Sequence, residues 1–269
     1  MNRRAGCAAA LGLLAALAPA ARADEAAAVE ALQKLGAKVT RDDKQPGKPV
    51  VAVNLADCRK VTDADLKGLK DLPDLRELNL GGTPVTDAGM KELKDLKNLR
   101  TLGLVATKAT EAGLKELKGL TGLQTLYLGD GPAVTDAALA ALRETGLLHA
   151  LSQAEAKDGK RPSGPADVLT LDLHEAKVTD AGMKELKDLK NLQSLDLGAT
   201  DVTDAGLKEL KGLKDLRKLS LAHTPVTNAG LKELKELKDL RTLLLFDTGV
   251  TEAGVAELRK ALPDLNVVR

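Results

Sequence analysis

Three side chains in the second half of the chain have the residue types and the spacing that could bind a metal ion or transfer a proton. Asp172 and His174 are two residues apart, and Asp196 follows Asp172 by 24 residues. On adjacent parallel strands, same-face neighbours lie about 6.6 Å apart along a strand and about 4.8 Å apart between strands. Two carboxylates and an imidazole that close could hold a metal ion or form a proton-transfer pair. A solvated polar patch is the alternative, and it is favoured because no spaced ligand motif accompanies the three residues.

Other motifs for chemistry are missing from the sequence. It contains no nucleophile elbow, phosphate-binding loop, zinc-protease helix or paired-cysteine site. We therefore predict a non-enzymatic protein with no catalytic residue, no bound metal and no cofactor. The competing prediction is a hydrolase or metal-binding protein that uses Asp172, Asp196 and His174.

Aromatic residues are scarce, which makes their positions informative. The chain has one Tyr, one Phe and no Trp. Tyr127 and Phe246 both fall at strand positions that point away from the predicted core, where they could anchor a partner. The alternative is that they fill space beside small neighbours such as Gly103 and Gly129. We predict a partner-binding surface that consists of Tyr127, Phe246, Asp172, His174, Asp196 and Asn79.

These side chains must be positioned by a repeating unit. The segment VTDAGMKELKDLKNL occurs unchanged at 85–99 and at 178–192, and near-copies flank it. The signature (Val/Ala)-Thr-(Asp/Glu/Asn)-Ala recurs with separations of 24, 24, 25, 44, 24, 24 and 24 residues. Self-similarity at this period is the mark of a solenoid and lies within the leucine-rich repeat range. The signature begins at Val61, Val85, Ala109, Val134, Val178, Val202, Val226 and Val250.

Each repeat has two halves. Leu75-x-x-Leu78-x-Leu80 ends with a period of two, as expected for a strand with one buried face. The segment 86–96 places apolar residues three apart among charges and predicts an amphipathic helix, with Thr86 as its N-cap. The outward strand positions then form one column across the sheet: Asn54, Asn79, Gly103, Tyr127, Asp172, Asp196, Ser220 and Leu244.

The pattern Leu-x-x-Leu-x-Leu-x-x-Thr-x-Val-Thr-Asp-Ala-Gly-Leu-x-x-Leu resembles the ribonuclease-inhibitor-like leucine-rich repeats, particularly the 24-residue bacterial type. The resemblance covers roughly residues 50–269. It implies an α/β fold, a right-handed leucine-rich-repeat solenoid (horseshoe) with a concave parallel β-sheet and convex helices. Where many such repeats carry Asn or Cys this chain has Thr, so a thinner buried hydrogen-bond ladder is expected from Thr83, Thr107, Thr200, Thr224 and Thr248.

The N-terminus has the features of an export signal. A basic start is followed by an apolar run from Ala8 to Ala18, and Ala21-Arg22-Ala23 supplies a small-x-small cleavage pattern. The run is too short for a permanent membrane anchor. We predict a cleaved signal peptide over 1–23, a capping helix and turn over 24–49, and the solenoid over 50–269. The predicted destination is the periplasm or the extracellular space.

The 44-residue separation marks an irregular repeat. LLHALSQ at 147–153 fits one more strand, and the Gly- and Pro-containing segment 154–167 predicts a loop in place of a helix. The competing interpretation is a surface insertion with no strand of its own. The last predicted element is a short C-terminal cap over 262–269.

Charge and cysteine content exclude several classes of partner and of architecture. Without residues 1–23, which hold three Arg and no acid, the 40 basic and 39 acidic residues become 37 and 39, a net charge of −2. Such a balance argues against nucleic acid, and Cys58 alone cannot form an internal disulfide.

We therefore predict an exported, monomeric recognition scaffold that binds a protein, or a glycan, on the concave sheet face. A third reading follows from the resemblance, since such repeats also occur as substrate-receptor modules of ubiquitin ligases. That role needs a preceding F-box-like helical segment, for which 24–48 leaves little room.

Overall fold

The computed structural model describes residues 18–269, and side chains from Ala23 onward with the exception of position 132. Most of the predicted signal peptide therefore lies outside the described residues. The first helix runs over Ala18–Lys34 and so begins before residue 24 and passes through the predicted cleavage position. Its Ala-rich sequence favours helix on both sides of Ala23. No helix within 18–269 has the length and apolar character needed to cross a membrane.

Short strands alternate with short helical segments along the whole described chain. The strands are β1 Lys38–Arg41, β2 Val50–Asn54, β3 Glu77–Asn79, β4 Thr101–Gly103, β5 Thr125–Tyr127, β6 Ala154–Glu155, β7 Thr170–Asp172, β8 Ser194–Asp196, β9 Lys218–Ser220, β10 Thr242–Leu244 and β11 Asn266–Val268. The helices are α1 Ala18–Lys34, α2 Asp87–Met90, α3 Glu111–Lys115, α4 Asp136–Thr145, α5 Asp180–Met183, α6 Asn228–Leu231 and α7 Glu252–Ala261.

The predicted amphipathic α-helices are shorter and tighter than expected. In the repeat that begins at Val85, α2 covers one turn and continues as a 3₁₀ segment over Lys91–Leu93. Other repeats show the same change, for example over Lys184–Asp188. The apolar residues of this half are spaced by three, and three residues per turn is the period of the 3₁₀ helix. The spacing in the sequence therefore already contained the signal.

The strands form two sheets where one continuous parallel sheet was predicted. The first has the order β1-β2-β3-β4-β5 and the second β11-β10-β9-β8-β7-β6. A single parallel bridge, Leu126↔Leu151, joins them. Most pairs are parallel, but β1 is antiparallel to β2 and β6 is antiparallel to β7. The C-terminal cap contains the expected last strand, because β11 pairs in parallel with β10.

Leucines from successive repeats form one contiguous core. The middle residue of each regular strand points inward, and Leu78, Leu102, Leu195 and Leu243 are each at most 1% exposed. All belong to a single cluster that extends from Ala28 to Leu265. No repeat could bury these side chains alone, so the repeats stabilise one another.

The predicted threonine ladder does not connect the repeats. Thr83 and Thr200 are buried, but each hydroxyl donates to a carbonyl of its own repeat, that of Leu80 (2.6 Å) and that of Leu197 (2.7 Å) respectively. A hydroxyl has one proton to donate, and here it goes to the carbonyl three residues earlier, which in the case of Leu80 also accepts the Thr83 N–H at 3.1 Å. Thr107, Thr224 and Thr248 make the same contact.

A different pair of residues connects the repeats, and we call it the Asp–Thr clamp. The Asp that follows the N-cap Thr of one repeat accepts hydrogen bonds from the backbone N–H and the hydroxyl of the N-cap Thr in the next repeat. The glycine three positions after each clamped Thr lies against the side chain that comes from the preceding repeat, for example Gly113 against Asp87. The clamps are Asp63–Thr86, Asp87–Thr110, Asp136–Thr179, Asp180–Thr203 and Asp204–Thr227, and Asn228–Thr251 is their amide counterpart.

The irregular repeat between Val134 and Val178, called here the truncated repeat, interrupts the series of strands but not the series of Asp–Thr clamps. No strand covers 147–153; a 3₁₀ turn at Leu148–Ala150 precedes the bridge residue Leu151. The predicted loop 154–167 contains β6 and two further 3₁₀ turns. On the opposite edge, Asp136 clamps Thr179 directly. The strand prediction for 147–153 was therefore wrong except at Leu151, because the carbonyls of this segment bind a side chain in place of a full neighbouring strand.

That side chain is Arg161, which belongs to the predicted loop over 154–167. Its guanidinium donates to the carbonyls of Ser152 (2.9 Å), Ala154 (2.7 Å) and Gln124 (3.2 Å), and also to those of Ala150 and Leu151. The planar guanidinium has five N–H donors and can therefore satisfy several carbonyls at once. Arg161 thus replaces the strand that is missing at the junction of the two sheets.

Candidate functional site: the open sheet face

The side of the two sheets opposite the leucine core is called here the open sheet face. In the first sheet Asn54, Asn79, Gly103 and Tyr127 pair in register across four strands. In the second sheet Asp172, Asp196, Ser220 and Leu244 do the same. These are the two halves of the column that the sequence predicted, so the repeat spacing located the outward positions.

Several polar residues of this face have a structural task at the strand ends. Oδ1 of Asn79 accepts a hydrogen bond from the Gly81 N–H at 2.9 Å, and Asn54 accepts one from Ala56 at the same distance. In the second sheet Asp172 accepts from the His174 N–H at 2.9 Å and Asp196 from the Gly198 N–H at 2.7 Å. Each side chain thus stabilises the turn that leaves its strand. One oxygen of each is occupied by the backbone.

Asp172, His174 and Asp196 are neighbours, as their spacing predicted. His174 and Asp196 converge over Gly198, where an added Cβ would lie 2.7 Å from His174 Nδ1 and 3.0 Å from Asp196 Oδ1. His174 Nε2 lies 3.6 Å from Glu175, and both side chains are exposed. Among residues 18–269, no group of three His, Cys, Asp or Glu residues is arranged to hold a metal ion. The metal-binding alternative therefore finds no ligand set in the described part of the chain.

The first sheet carries a groove of about 770 Å³ on its open face. Its floor consists of small residues such as Gly81 and Gly103, and Asn54, Asn79 and Tyr127 lie along it. Grooves of this volume are typical of ligand sites. One wall comes from Lys38 and Thr40 of β1. This wall was not predicted, because the sequence before residue 50 indicated a helix and a turn without a strand.

The two aromatic side chains lie on different sheets. Tyr127, 47% exposed, ends β5 and lines the groove together with Val105, which is 42% exposed. Phe246, 40% exposed, follows β10 in the second sheet, where Leu244 pairs with Val268. Sequence reasoning placed both aromatics on one face but did not separate them. A shared contact surface would have to extend across the junction at Leu151.

Comparison with known proteins identifies the repeat. Residues 72–94 and 188–211 match the family model described as "Leucine Rich repeat". The chain thus contains leucine-rich repeats arranged in an α/β solenoid. No curated protein sequence matches it.

Two of the solved structures that are similar to the chain are an internalin and a plant receptor. One is an internalin C2 from Listeria monocytogenes str. 4b F2365, with 21% identity over 91% of this chain and 82% of that chain, and a TM-score of 0.33. The other is the plant peptide hormone receptor RGFR1 in complex with RGF2, with 18% identity over 75% of this chain and a TM-score of 0.42. The chain spans 33% of the length of that receptor.

Proposed function

We propose that this protein is an exported, non-enzymatic recognition scaffold that binds a protein partner on its open sheet face. One observation carries the proposal. Of the described residues, the large apolar side chains that are exposed are Val105, Tyr127 and Phe246, and all three lie on this face. Scattered single apolar side chains are ordinary on a surface, but their restriction to one face of a protein this poor in aromatics indicates contact with a partner.

Each repeat combines constant framework positions with variable positions on the open sheet face, and this difference supports the same proposal. The leucines, the N-cap threonines and the clamping aspartates recur in nearly every repeat, because packing and hydrogen bonding require them. The open-face positions follow no such rule, and vary from Asn79 to Gly103 to Tyr127 in consecutive repeats. A scaffold that keeps its frame constant and varies one surface is suited to recognition.

We also infer the subtype of the leucine-rich repeats and the export of the protein. The spacing of 24 residues and the pattern around Val85 support the ribonuclease-inhibitor-like, bacterial type, in a right-handed horseshoe whose open sheet face is concave. The basic start, the apolar run and Ala21-Arg22-Ala23 support export. N-terminal sequencing of the protein purified from an envelope or medium fraction tests this part. A mature chain that starts at Asp24 agrees with it, whereas retention of Met1 in the cytoplasm would contradict it.

A glycan is the second candidate ligand, and the groove provides the observation in its favour. Oδ1 of Asn54 and of Asn79 is held by the backbone, which leaves the amide groups directed away from that bond. Together with Glu77 and Tyr127 they line the groove with planar polar groups and one amphipathic ring. Such a surface could also accept sugar hydroxyls.

The binding experiment compares variants of the mature protein used as bait in an extract of the cell envelope. Tyr127→Ala and Phe246→Ala are tested singly and together, and Lys91→Ala with Lys184→Ala serves as the matched control on the helical side, where both lysines are exposed. The captured partner is then purified and its affinity measured directly. We expect the open-face double variant to bind at least about tenfold more weakly. Equal affinity of the double variant, or a loss confined to the lysine control, would refute the proposal.

A further inference from the structure

The truncated repeat contains a buried histidine that no proposed function uses. His149 is 3% exposed and lies in the 3₁₀ turn directly before the bridge residue Leu151. Its Nδ1 is 3.1 Å from the Gly146 carbonyl, so a neutral ring carries its proton on Nδ1. Its Nε2 is the one buried side-chain nitrogen or oxygen among the described residues that has no hydrogen-bond partner.

Burial and the charge of Arg161 disfavour a positive charge on the His149 ring. Burial is the largest effect and lowers the pKa of His149 below its ordinary value of 6.5. The carbonyls of Gly146 and Leu123 and the carboxylate of Asp167 act in the opposite direction, and the cationic Arg161 adds to the lowering. The exposed surface offers the charge a better environment, since an ionised group loses its hydration when buried.

We propose that His149 makes the junction between the two sheets sensitive to acid. Protonation of Nε2 introduces a positive charge at a buried position, where the charge of Arg161 opposes it. The favoured response is local opening of residues 147–155, in which the ring reaches water. Because the folded junction binds this proton less readily than the open one, the closed form is stable at neutral pH. It loses stability as the pH falls from about 6.5 towards the lower pKa of the folded state.

The junction supports the groove of the first sheet. The Ser152 N–H donates to the Leu126 carbonyl at 3.0 Å, and the Gln153 amide donates to the Gly129 carbonyl at 3.1 Å. Both acceptors flank Tyr127. Opening of 147–155 therefore removes the contacts that hold the free edge of β5. The consequence for binding through Tyr127 rests on the proposed function, whereas the acid response of the junction does not.

Hydrogen exchange of the mature protein tests the inference. Amide exchange of 147–155 is measured near pH 7 and near pH 5.5, after correction for the intrinsic pH dependence, in the parent protein and in His149→Leu. With an open-state pKa of about 6.5 and a folded ring that stays neutral, the opening constant should rise roughly eightfold between pH 7 and pH 5.5. We expect faster corrected exchange in acid for the parent protein and a flat response for His149→Leu. His174→Gln and His223→Gln, at exposed positions, should respond like the parent protein.

A proton NMR titration of the three histidine rings provides a second readout that does not depend on any variant folding. We expect the pKa of the His149 ring to lie below the ordinary value of histidine, because the ring is buried. A His149 ring that titrates at or above about 6.5, or an acid response that persists unchanged in His149→Leu, would overturn it. Since exchange at the junction is measured without a partner, a failure here is distinguishable from a failure of the proposed binding function.

Discussion

Asp87 holds Thr110 of the next repeat with both carboxylate oxygens: Oδ1 accepts from the backbone N–H at 2.7 Å and Oδ2 from the hydroxyl at 2.8 Å. Thr110 at the same time caps its own helix by accepting from the Ala112 N–H. The sequence Thr-Asp-Ala-Gly is therefore one mechanical unit. The Thr is held by the Asp of the preceding repeat, and the Asp holds the Thr of the next repeat. The Gly leaves room for the carboxylate of the preceding repeat.

The exceptions obey the same rule. Between the third and fourth signatures the separation is 25 residues, Glu111 replaces the Asp, and Ala138 replaces the Gly that would face it. Among the described residues, Glu111 and Thr135 form no hydrogen bond with each other, and the Thr135 hydroxyl accepts only from the Ala138 N–H of its own helix. In the repeat that begins at Val250, Glu252 accepts a hydrogen bond from Arg269 at 2.6 Å. Glycine is thus dispensable where no carboxylate arrives.

Replacing Asp87 with Ala should destabilise the protein by about 2 kcal/mol, because two hydrogen bonds to a charged acceptor are lost. Asp87→Asn should cost less, since Asn228 shows that an amide can make both contacts to a Thr in this position. Glu111→Ala is the matched control, because Glu111 occupies the corresponding position in the repeat that makes no clamp, and it should have little effect. Urea unfolding measures all three. Equal losses for Asp87→Ala and Glu111→Ala would show that the clamp contributes nothing.

Replacing Gly113 with Ala should also destabilise the protein, by about 1–3 kcal/mol. The new Cβ would lie 2.5 Å from Asp87 Oδ1 and 2.9 Å from Met90 Cγ, which outweighs the better helix propensity of Ala. Gly164→Ala is the control, because no heavy atom lies within 4 Å of its added Cβ. In a double-mutant cycle with Asp87→Ala, the double variant should lose less stability than the sum of the two single losses, because the clash with the carboxylate disappears. Additive losses would contradict this explanation of the glycine.

The clamp of Asp87 should weaken in acid. Partial burial raises the pKa of Asp87, but the hydrogen bonds from Thr110 and the Gly113 backbone and the charge of Lys91 together leave it below its ordinary value. The stabilisation is therefore present above the unfolded pKa and is lost as the pH falls through the folded one. The stability difference between the parent protein and Asp87→Asn should shrink between about pH 5 and about pH 2. A constant difference across a urea-unfolding series would be inconsistent with a depressed pKa.

Replacing Arg161 with Lys should cost about 2–4 kcal/mol, although charge is retained. An ammonium group has three donors at one point and cannot match five carbonyls spread over two segments. Lys160→Ala in the same loop is the control, since Lys160 is exposed. Thermal unfolding and hydrogen exchange of 150–154 give the readout. If Arg161→Lys behaved like Lys160→Ala, the guanidinium would not be what closes the junction.

By itself, the sequence determined the repeat, the inward leucines and the outward column that contains Asn79, Tyr127 and Asp172. These follow from local periodicity, since a residue's place in a 24-residue step decides which way it points. It also contained the three-residue spacing of the 3₁₀ segments, which the expectation of an α-helix obscured.

Only the tertiary structure decided the contacts between repeats and the junction of the two sheets. The Asp–Thr clamp joins residues 23 positions apart in most cases and 43 apart at Asp136 and Thr179, so its partner depends on how the repeats stack. The role of Arg161 and the burial of His149 depend on which carbonyls and which volume remain when one repeat is shortened. These free carbonyls and this free volume result from how the neighbouring repeats pack, and no local pattern in the chain encodes them.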